Sequence, residues 1–382
     1  MGRRRAITAI TERPVVRAVA CMATLLLALA MAGPRPAAGA GYIDGISDQS
    51  LPAWDGSFAD SPFASLFRSR WSRRDSGQIS LARYVVQWDV MTETSRGAYP
   101  GGNYRERFEA WLEDVRSLGL TPVLALTSYD RSYPGSPGEY LPRLEAILAR
   151  AAAMGYPIAY VEPWNEPNNQ GAESASTAAA FANSANSLCE ASRTCAVIAG
   201  DFEDRSDVLP YEQAYERALT FVPGIWGVHP YVSVQSHSES NVRRLFAGLP
   251  AHASGRQIWI TEIGALYCSR GELRGEARQA SDAAYLIDTL LGDPALAPAH
   301  AFYYGFLFGG RANAPCTQAG GQDSELYGSF DVPRAAAQVI LRPLAPSRGP
   351  SVSRNPESPP WPPWTSAANL MIEQLPKEPN GS

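Results

Sequence analysis

The sequence predicts a (β/α)8 barrel, and three observations carry the prediction. Eight apolar, β-rich runs recur along the chain, with starts roughly 30 to 45 residues apart, the span of one strand plus a crossover helix. The segments between them carry helical periodicity. The stretch that holds them, residues 41–342, has the length of one barrel domain, about 300 residues. An open doubly wound sheet is the competing fold. It favours a Gly-rich phosphate loop after the first strand, and Tyr42-Ile-Asp-Gly-Ile-Ser-Asp-Gln49 supplies none.

In order, the eight runs are Tyr42–Ile46, Leu81–Trp88, Pro122–Leu126, Ile158–Val161, Ala196–Ala199, Ile225–Val228, Gln257–Thr261 and Ala301–Phe308. Ahead of the third, Phe108, Trp111, Leu112, Val115 and Leu118 share one helical face, with Gly119 as the stop. Ahead of the fourth, Leu141, Leu144, Leu148, Ala151 and Met154 repeat the pattern and end at Gly155. A third helix runs from Glu276 to Leu291, with Ala280, Ala283, Ala284, Ile287 and Leu291 expected inward. Trp111 and Trp259 are assigned to packing.

Residues 1–40 read as a signal peptide. Arg3, Arg4 and Arg5 precede an apolar stretch, Ala18 to Ala32, and Ala38-Gly39-Ala40 has the form of a cleavage site. The stretch falls short of the roughly 20 residues that span a bilayer. An uncleaved membrane anchor is the alternative; the reading here is a secreted, extracellular, monomeric protein. Residues 343–382, crowded with Pro and Ser, read as a disordered tail.

Composition narrows the partners. The net charge of −5, with no basic stripe after the leader, argues against nucleic acid. Of five cysteines, Cys189, Cys195, Cys268 and Cys316 lie beyond the leader and are expected to pair as Cys189–Cys195 and Cys268–Cys316. No histidine has zinc-ligand spacing to them, so neither metal nor other cofactor is expected. The acidic cluster Asp201, Glu203, Asp204 and Asp207 does not match an EF-hand loop and reads as a solvated loop.

The chemistry lies in two carboxylates. Trp164-Asn165-Glu166-Pro167 sits at the end of the fourth run, which puts Glu166 on the last turn of that strand, stopped by proline, and Glu262 ends the seventh, ahead of Ile263-Gly264. Working residues of a barrel sit at the C-terminal ends of its strands. Two carboxyls about 5 Å apart there suit retaining glycoside hydrolysis, one as acid/base and the other as nucleophile. The acid has to be pushed towards a pKa of about 6 by burial and by its anionic neighbour. The nucleophile needs donors. Arg83 on the second strand is one candidate, with Glu162 as its alternative partner, and His229-Pro230-Tyr231 after the sixth strand supplies others. Trp164, Trp88 and Phe306 are candidate sugar platforms.

Asn-Glu-Pro ending the fourth strand, His-x-Tyr after the sixth and Thr-Glu-Ile-Gly ending the seventh together resemble the clan A glycoside hydrolases, over residues from about Gly41 to Leu341. Those are retaining (β/α)8 enzymes that include cellulases, mannanases and xylanases. The resemblance implies Glu166 as acid/base, Glu262 as nucleophile, Asn165 as ligand of the substrate 2-hydroxyl, Tyr231 and Arg83 as donors to the nucleophile, and His229 lining the site. Two family features are missing. Thr127-Ser128-Tyr129 stands where a histidine often follows strand three, and Phe302-Tyr-Tyr-Gly-Phe-Leu-Phe308 lacks the strand-eight tryptophan.

The function expected is hydrolysis of a β-linked oligo- or polysaccharide by double displacement. A carbohydrate-binding or cell-surface barrel that hydrolyses nothing is the alternative. A serine esterase would need a Gly-x-Ser-x-Gly elbow, which is absent beyond the leader.

Overall fold

The computed structural model describes residues 43–47, 79–92, 104–129, 133–169, 174–249, 257–269, 272–305, 322–329 and 332–341. The leader, Cys316, Phe306, Phe308 and the Pro-rich tail lie outside these residues.

Eight parallel strands close into a barrel: β1 (Gly45–Ser47), β2 (Leu81–Gln87), β3 (Thr121–Thr127), β4 (Tyr160–Glu162), β5 (Ala196–Glu203), β6 (Ile225–His229), β7 (Gln257–Ile263) and β8 (His300–Tyr304). Each strand pairs with its sequence neighbour, and β1 closes the ring by pairing with both β2 and β8. A doubly wound sheet is excluded by that closure. The outer shell comprises α1 (Tyr104–Leu118), α2 (Pro137–Ala153), α3 (Ala175–Ser192), α4 (Val208–Ala218), α5 (Tyr231–Ser236), α6 (Ser240–Gly248), α7 (Gly275–Ala284) and α8 (Ala335–Ile340). No helix among the described residues is long and apolar enough to cross a membrane.

The helices form where the sequence places caps and apolar stripes. Ser136 caps α2 by accepting from the Glu139 N–H at 3.2 Å, with Pro137 next in the first turn. Ser174 caps α3 in the same way through Thr177 N–H, also at 3.2 Å. Phe108, Trp111, Leu112, Val115 and Leu118 of α1 are buried as the periodicity predicts, and Gly119 adopts φ +67° at the stop. In α2 the buried stripe is Tyr140, Leu144, Ile147, Leu148 and Ala151, with the predicted Leu141 and Met154 only half-buried.

The seventh helix departs further from expectation. After Ala284 it continues as a π-helix, Tyr285–Leu290, and its buried residues are Gln279, Asp282, Ala283, Leu286, Leu290 and Leu291. Ala280, Ala284 and Ile287 are half-buried instead. The buried positions keep a helical period through this segment, but on a face one residue away from the expected one, and the offset is already present at Gln279, before the π-turn. Two polar side chains are also drawn inward by partners: Gln279 donates to the Ala265 and Glu325 carbonyls, and Asp282 pairs with His237 at 2.8 Å.

Cys189 and Cys195 form the expected disulfide across the α3–β5 turn, at a Cα–Cα distance of 4.9 Å. Cys268 is disulfide-bonded as well; the expected partner, Cys316, lies outside the described residues.

Most of the apolar core lies between sheet and helices, but a second cluster fills the barrel itself: Leu81, Val123, Ile198, Trp259 and Phe302. Because side chains alternate along a strand, the next inward position on three of these strands, two residues later, falls on Arg83, Ala125 and Thr261. With Ser47, Glu162 and Asp201 these make a buried polar layer above an apolar floor.

Outside the barrel, Glu212 is a buried carboxyl without a partner among the described residues. Glu212 of α4 is 0% exposed, faces Gly248 of α6, and neither of its oxygens has a hydrogen-bond partner among the described residues. Burial, aided by Glu216, pushes its pKa up to about 8. The folded chain therefore holds a proton that the unfolded chain releases above its ordinary value of 4.5, so stability falls as pH rises from that value towards 8. Glu212→Gln is expected to raise the melting temperature at neutral pH, with the gain fading near pH 4.5. Thermal melts of both proteins across that pH range check it.

Candidate active site

The site is built around Arg83, which β2 points into the barrel with 0% exposure. Every N–H of its guanidinium has an acceptor. Nε donates to Glu162 Oε2 at 2.8 Å, Nη1 to Ser47 Oγ at 3.1 Å and Glu262 Oε2 at 2.6 Å, and Nη2 to Asn165 Oδ1 at 2.7 Å and Asp201 Oδ2 at 2.9 Å. One cation thus ties together residues from β1, β2, β4, β5 and β7. The sequence offered Glu262 or Glu162 as its partner; it holds both.

Glu262 lies within β7, where the β7–β8 register slips between Ala301 and Tyr303. Its second oxygen accepts from Tyr231 Oη at 3.0 Å, the first residue of α5 after β6. Burial raises its pKa above the ordinary carboxylate value, with the negative charge of Glu166 adding to it and His229 and Arg83 opposing.

Glu166 is not on the last turn of a strand. β4 ends at Glu162, and Glu166 sits in the following loop with φ +46°, a left-handed conformation uncommon for a residue with a side chain. That turn is fixed by Asn165 N–H to Leu126 O at 2.7 Å and Asn169 N–H to Glu166 O at 2.9 Å. Its Oε1 lies 2.8 Å from His229 Nδ1 and its Oε2 accepts from Asn169 Nδ2 at 3.0 Å. Burial alone would raise the Glu166 pKa, but the hydrogen bond and charge of His229 and the bond from Asn169 together outweigh it, and the carboxyl is held below its ordinary value. The expectation that Glu166 is the carboxyl pushed up is therefore reversed: burial lifts Glu262 instead, and His229 together with Asn169 holds Glu166 down.

His229, fully buried at the end of β6, lies 2.8 Å from Asp201 Oδ1 through its other nitrogen, Nε2. Burial disfavours its charge, yet Asp201, Glu166 and Glu262 together hold its pKa well above the usual imidazole value. Asp201 also accepts from Thr261 Oγ1 at 2.6 Å. Gly227 leaves room for this cluster, since a Cβ there would lie 2.9 Å from Thr261 Oγ1 and 3.1 Å from Asp201 Oδ1. Glu162 is pushed up to about 8 by burial in spite of Arg83.

Two of the acidic residues read as a solvated loop are buried here, Asp201 at 1% and Asp204 at 0% exposure. Asp204 accepts from the Val232 and Ser233 N–H groups at 2.8 Å each, anchoring the start of α5 and with it Tyr231. A sequence signal existed for Asp201: a glycine directly before it at the end of an apolar run marks a strand irregularity. Trp164 corrects in the other direction. It is 3% exposed, and Phe181 and Tyr133 pack on it at 5.3 and 6.0 Å between ring centroids, so its indole is core and not a sugar platform. Trp88 is buried too, whereas Tyr133 is 39% exposed.

Glu162, Asp201 and His229, and likewise Glu166, His229 and Glu262, bring ligand-type atoms within 4.8 Å of one another. The Arg83 guanidinium is bonded to three of these carboxylates and supplies the positive charge that a metal would bring, so no metal is assigned. Beside Tyr231 a polar cavity of about 550 Å³ opens, lined by Glu203, Arg205, Gln235, Asn241 and Arg274 among others. Burial, then the Glu166 charge, lift Glu203 there to about 7.

No protein-family model matches the chain, and no curated protein matches it. Solved structures do. A GH53 catalytic domain from Ignisphaera aggregans superposes with a TM-score of 0.57 at 14% identity, over 82% of this chain and 98% of that one. SrfJ from Salmonella typhimurium gives 0.54 at 11% identity, over 78% and 74%. An endo-β1,6-glucanase gives 0.52 at 13% identity, over 81% and 78%. The chain shares their fold. At these identities the likeness establishes the barrel, in accord with the resemblance to clan A glycoside hydrolases, and the chemistry is argued from the site.

Proposed function

We propose that this protein is a secreted retaining glycoside hydrolase that cleaves a β-linked oligo- or polysaccharide by double displacement. The observation that carries the reading is the spacing of its two carboxylates: an oxygen of Glu166 and an oxygen of Glu262 lie within 4.8 Å. Retaining enzymes hold the pair about 5–5.5 Å apart, whereas inverting enzymes leave about 6.5–9.5 Å for a water. The fold neighbours and the Cys189–Cys195 disulfide, which suits an oxidising compartment, support the reading.

In this mechanism Glu262 is the nucleophile, because its anion has two donors, Arg83 and Tyr231. It attacks the anomeric carbon while Glu166 gives a proton to the departing oxygen. Glu166 then takes a proton from the water that releases the glycosyl group. Asn165 spends its carbonyl on Arg83, which leaves its amide N–H groups to donate to the sugar 2-hydroxyl. The polar cavity beside Tyr231 is suited to further sugar units.

A panel of aryl β-glycosides and β-linked polysaccharides, with the product anomer read by ¹H NMR at early times, tests this. A product of retained configuration is expected. An inverted product would overturn the double displacement, and glycan binding without product over days would make the protein a non-catalytic carbohydrate-binding barrel.

A further inference from the structure

Strand β5 is built around a defect. It runs in register with β6 up to Gly200 opposite Gly227, then slips so that Phe202 faces Val228, and Asp201 is the extra residue. Gly200 has φ +89° and Asp201 φ +58°, left-handed backbone that is unfavourable for a residue with a side chain. This geometry seats the Asp201 carboxylate in the polar layer, between Arg83 on one oxygen and Thr261 and His229 on the other.

We propose that Asp201 is a positioning residue for the proton donor: its charge keeps His229 an imidazolium that presents Nδ1–H to Glu166. This rests on the glycosidase reading only for the role of Glu166. The charge balance stands without it. A fully buried imidazolium is sustained only by counter-ions, and His229 has them on three sides. Asp201 comes from β5, Glu166 from the loop after β4, and Glu262 from β7. Arg83 and Glu162 face Asp201 from its other side, Glu203 at the end of β5 feels the imidazole charge, and the Tyr231 ring stands edge-on at 6.5 Å. Asp201 is the one of the three carboxylates not assigned to bond making. It can keep its charge through a catalytic cycle while Glu166 and Glu262 change theirs.

Asp201→Asn keeps the shape and removes the charge. His229 should then lose a proton, and Glu166, no longer facing a cation, should bind its own proton more tightly. The test is ¹⁵N NMR of histidine-labelled protein near pH 8. The chain has four histidines, and loss of a signal in His229→Asn assigns the resonance. In the parent both His229 nitrogens should carry protons; in Asp201→Asn one should not. With substrate in hand, kcat/KM should fall by about tenfold or more, as when a triad loses the carboxylate that orients its histidine. A limb of the pH profile of the coupled Glu166–Glu262 pair should also move to higher pH. A purely structural role would lower kcat/KM without moving a limb. Thr261→Val, which removes a hydrogen bond to Asp201 but no charge, should leave the imidazolium signal in place. A neutral His229 in the parent, or an imidazolium that survives in Asp201→Asn, overturns the proposal. Neither NMR result depends on the protein being a glycosidase, so failure of that reading shows separately, as absence of turnover in the parent.

Discussion

Glu262→Gln is expected to lower kcat on the best substrate by about four orders of magnitude or more, because no other group can form the glycosyl–enzyme bond. The amide fills the same space, so the variant should stay folded. It loses one interaction outright: an amide in place of the carboxylate gives Arg83 Nη1 at best a neutral acceptor where it now has a charged one at 2.6 Å. Glu262→Ala opens room beside the anomeric carbon, and azide should restore turnover there with a product of inverted configuration. Glu166→Gln should behave differently. General acid catalysis contributes about 10²–10⁴-fold, so slow-leaving natural glycosides should suffer that full loss. Aryl glycosides with acidic phenols, which depart without a proton, should form the covalent intermediate nearly as before and stall at its hydrolysis. If both variants kept parental rates, or azide rescued only Glu166→Ala with inversion, the roles assigned here would be wrong or exchanged. Exchange is a sharp test because the pKa order, Glu262 raised and Glu166 lowered, runs against the roles. The two limbs of the parental pH profile will belong to the coupled pair and to neither residue alone.

Arg83→Met should have the largest effect on the fold. The methionine fills part of the volume but leaves Glu162, Asp201 and Glu262 facing one another in a buried layer without their common cation. Removing one partner of a buried ionic cluster costs about 3–5 kcal/mol, and activity should vanish with the loss of nucleophile alignment. The sign of the pH dependence identifies the cause. Glu162 and Glu262, already raised by burial against the opposition of Arg83, should rise further above their unfolded values without it. The variant should therefore be most stable at low pH, where all are protonated, and lose stability as pH rises through those values. Denaturant titrations near pH 5 and pH 8 check this. A loss of stability equal at both pH values would point to a packing fault instead.

Much of this arrangement was legible in the chain, for reasons that differ by residue. The eight strands were readable because each is an apolar run that must be buried on both faces of a parallel barrel, and burial leaves little freedom in composition. Glu166 and Glu262 were readable because short motifs stood at the ends of such runs. The depth of Asp201 was not. Its segment, Asp201-Phe-Glu-Asp-Arg-Ser-Asp207, is as charged as any surface loop, and only the bulge after Gly200 turns the first carboxylate inward. Trp164 failed for the opposite reason. It adjoins the Asn-Glu-Pro motif in sequence, but the loop after β4 carries Glu166 to the rim and leaves the indole over α3. The inward face of α7 was misread because periodicity counts only apolar residues, and the polar Gln279 and Asp282 take the inward positions with partners of their own.

The left-handed backbone at Glu166 carries a consequence for descent. Glycine, or asparagine to a lesser degree, would sit at φ +46° with less strain, so the glutamate is held there at the expense of stability. On the role proposed for Glu166, a lineage freed from the demand for turnover would be expected to let that position drift towards residues that make the barrel sturdier. A copy of this chain with glycine at position 166 would be a relic: better folded than its ancestor, and silent.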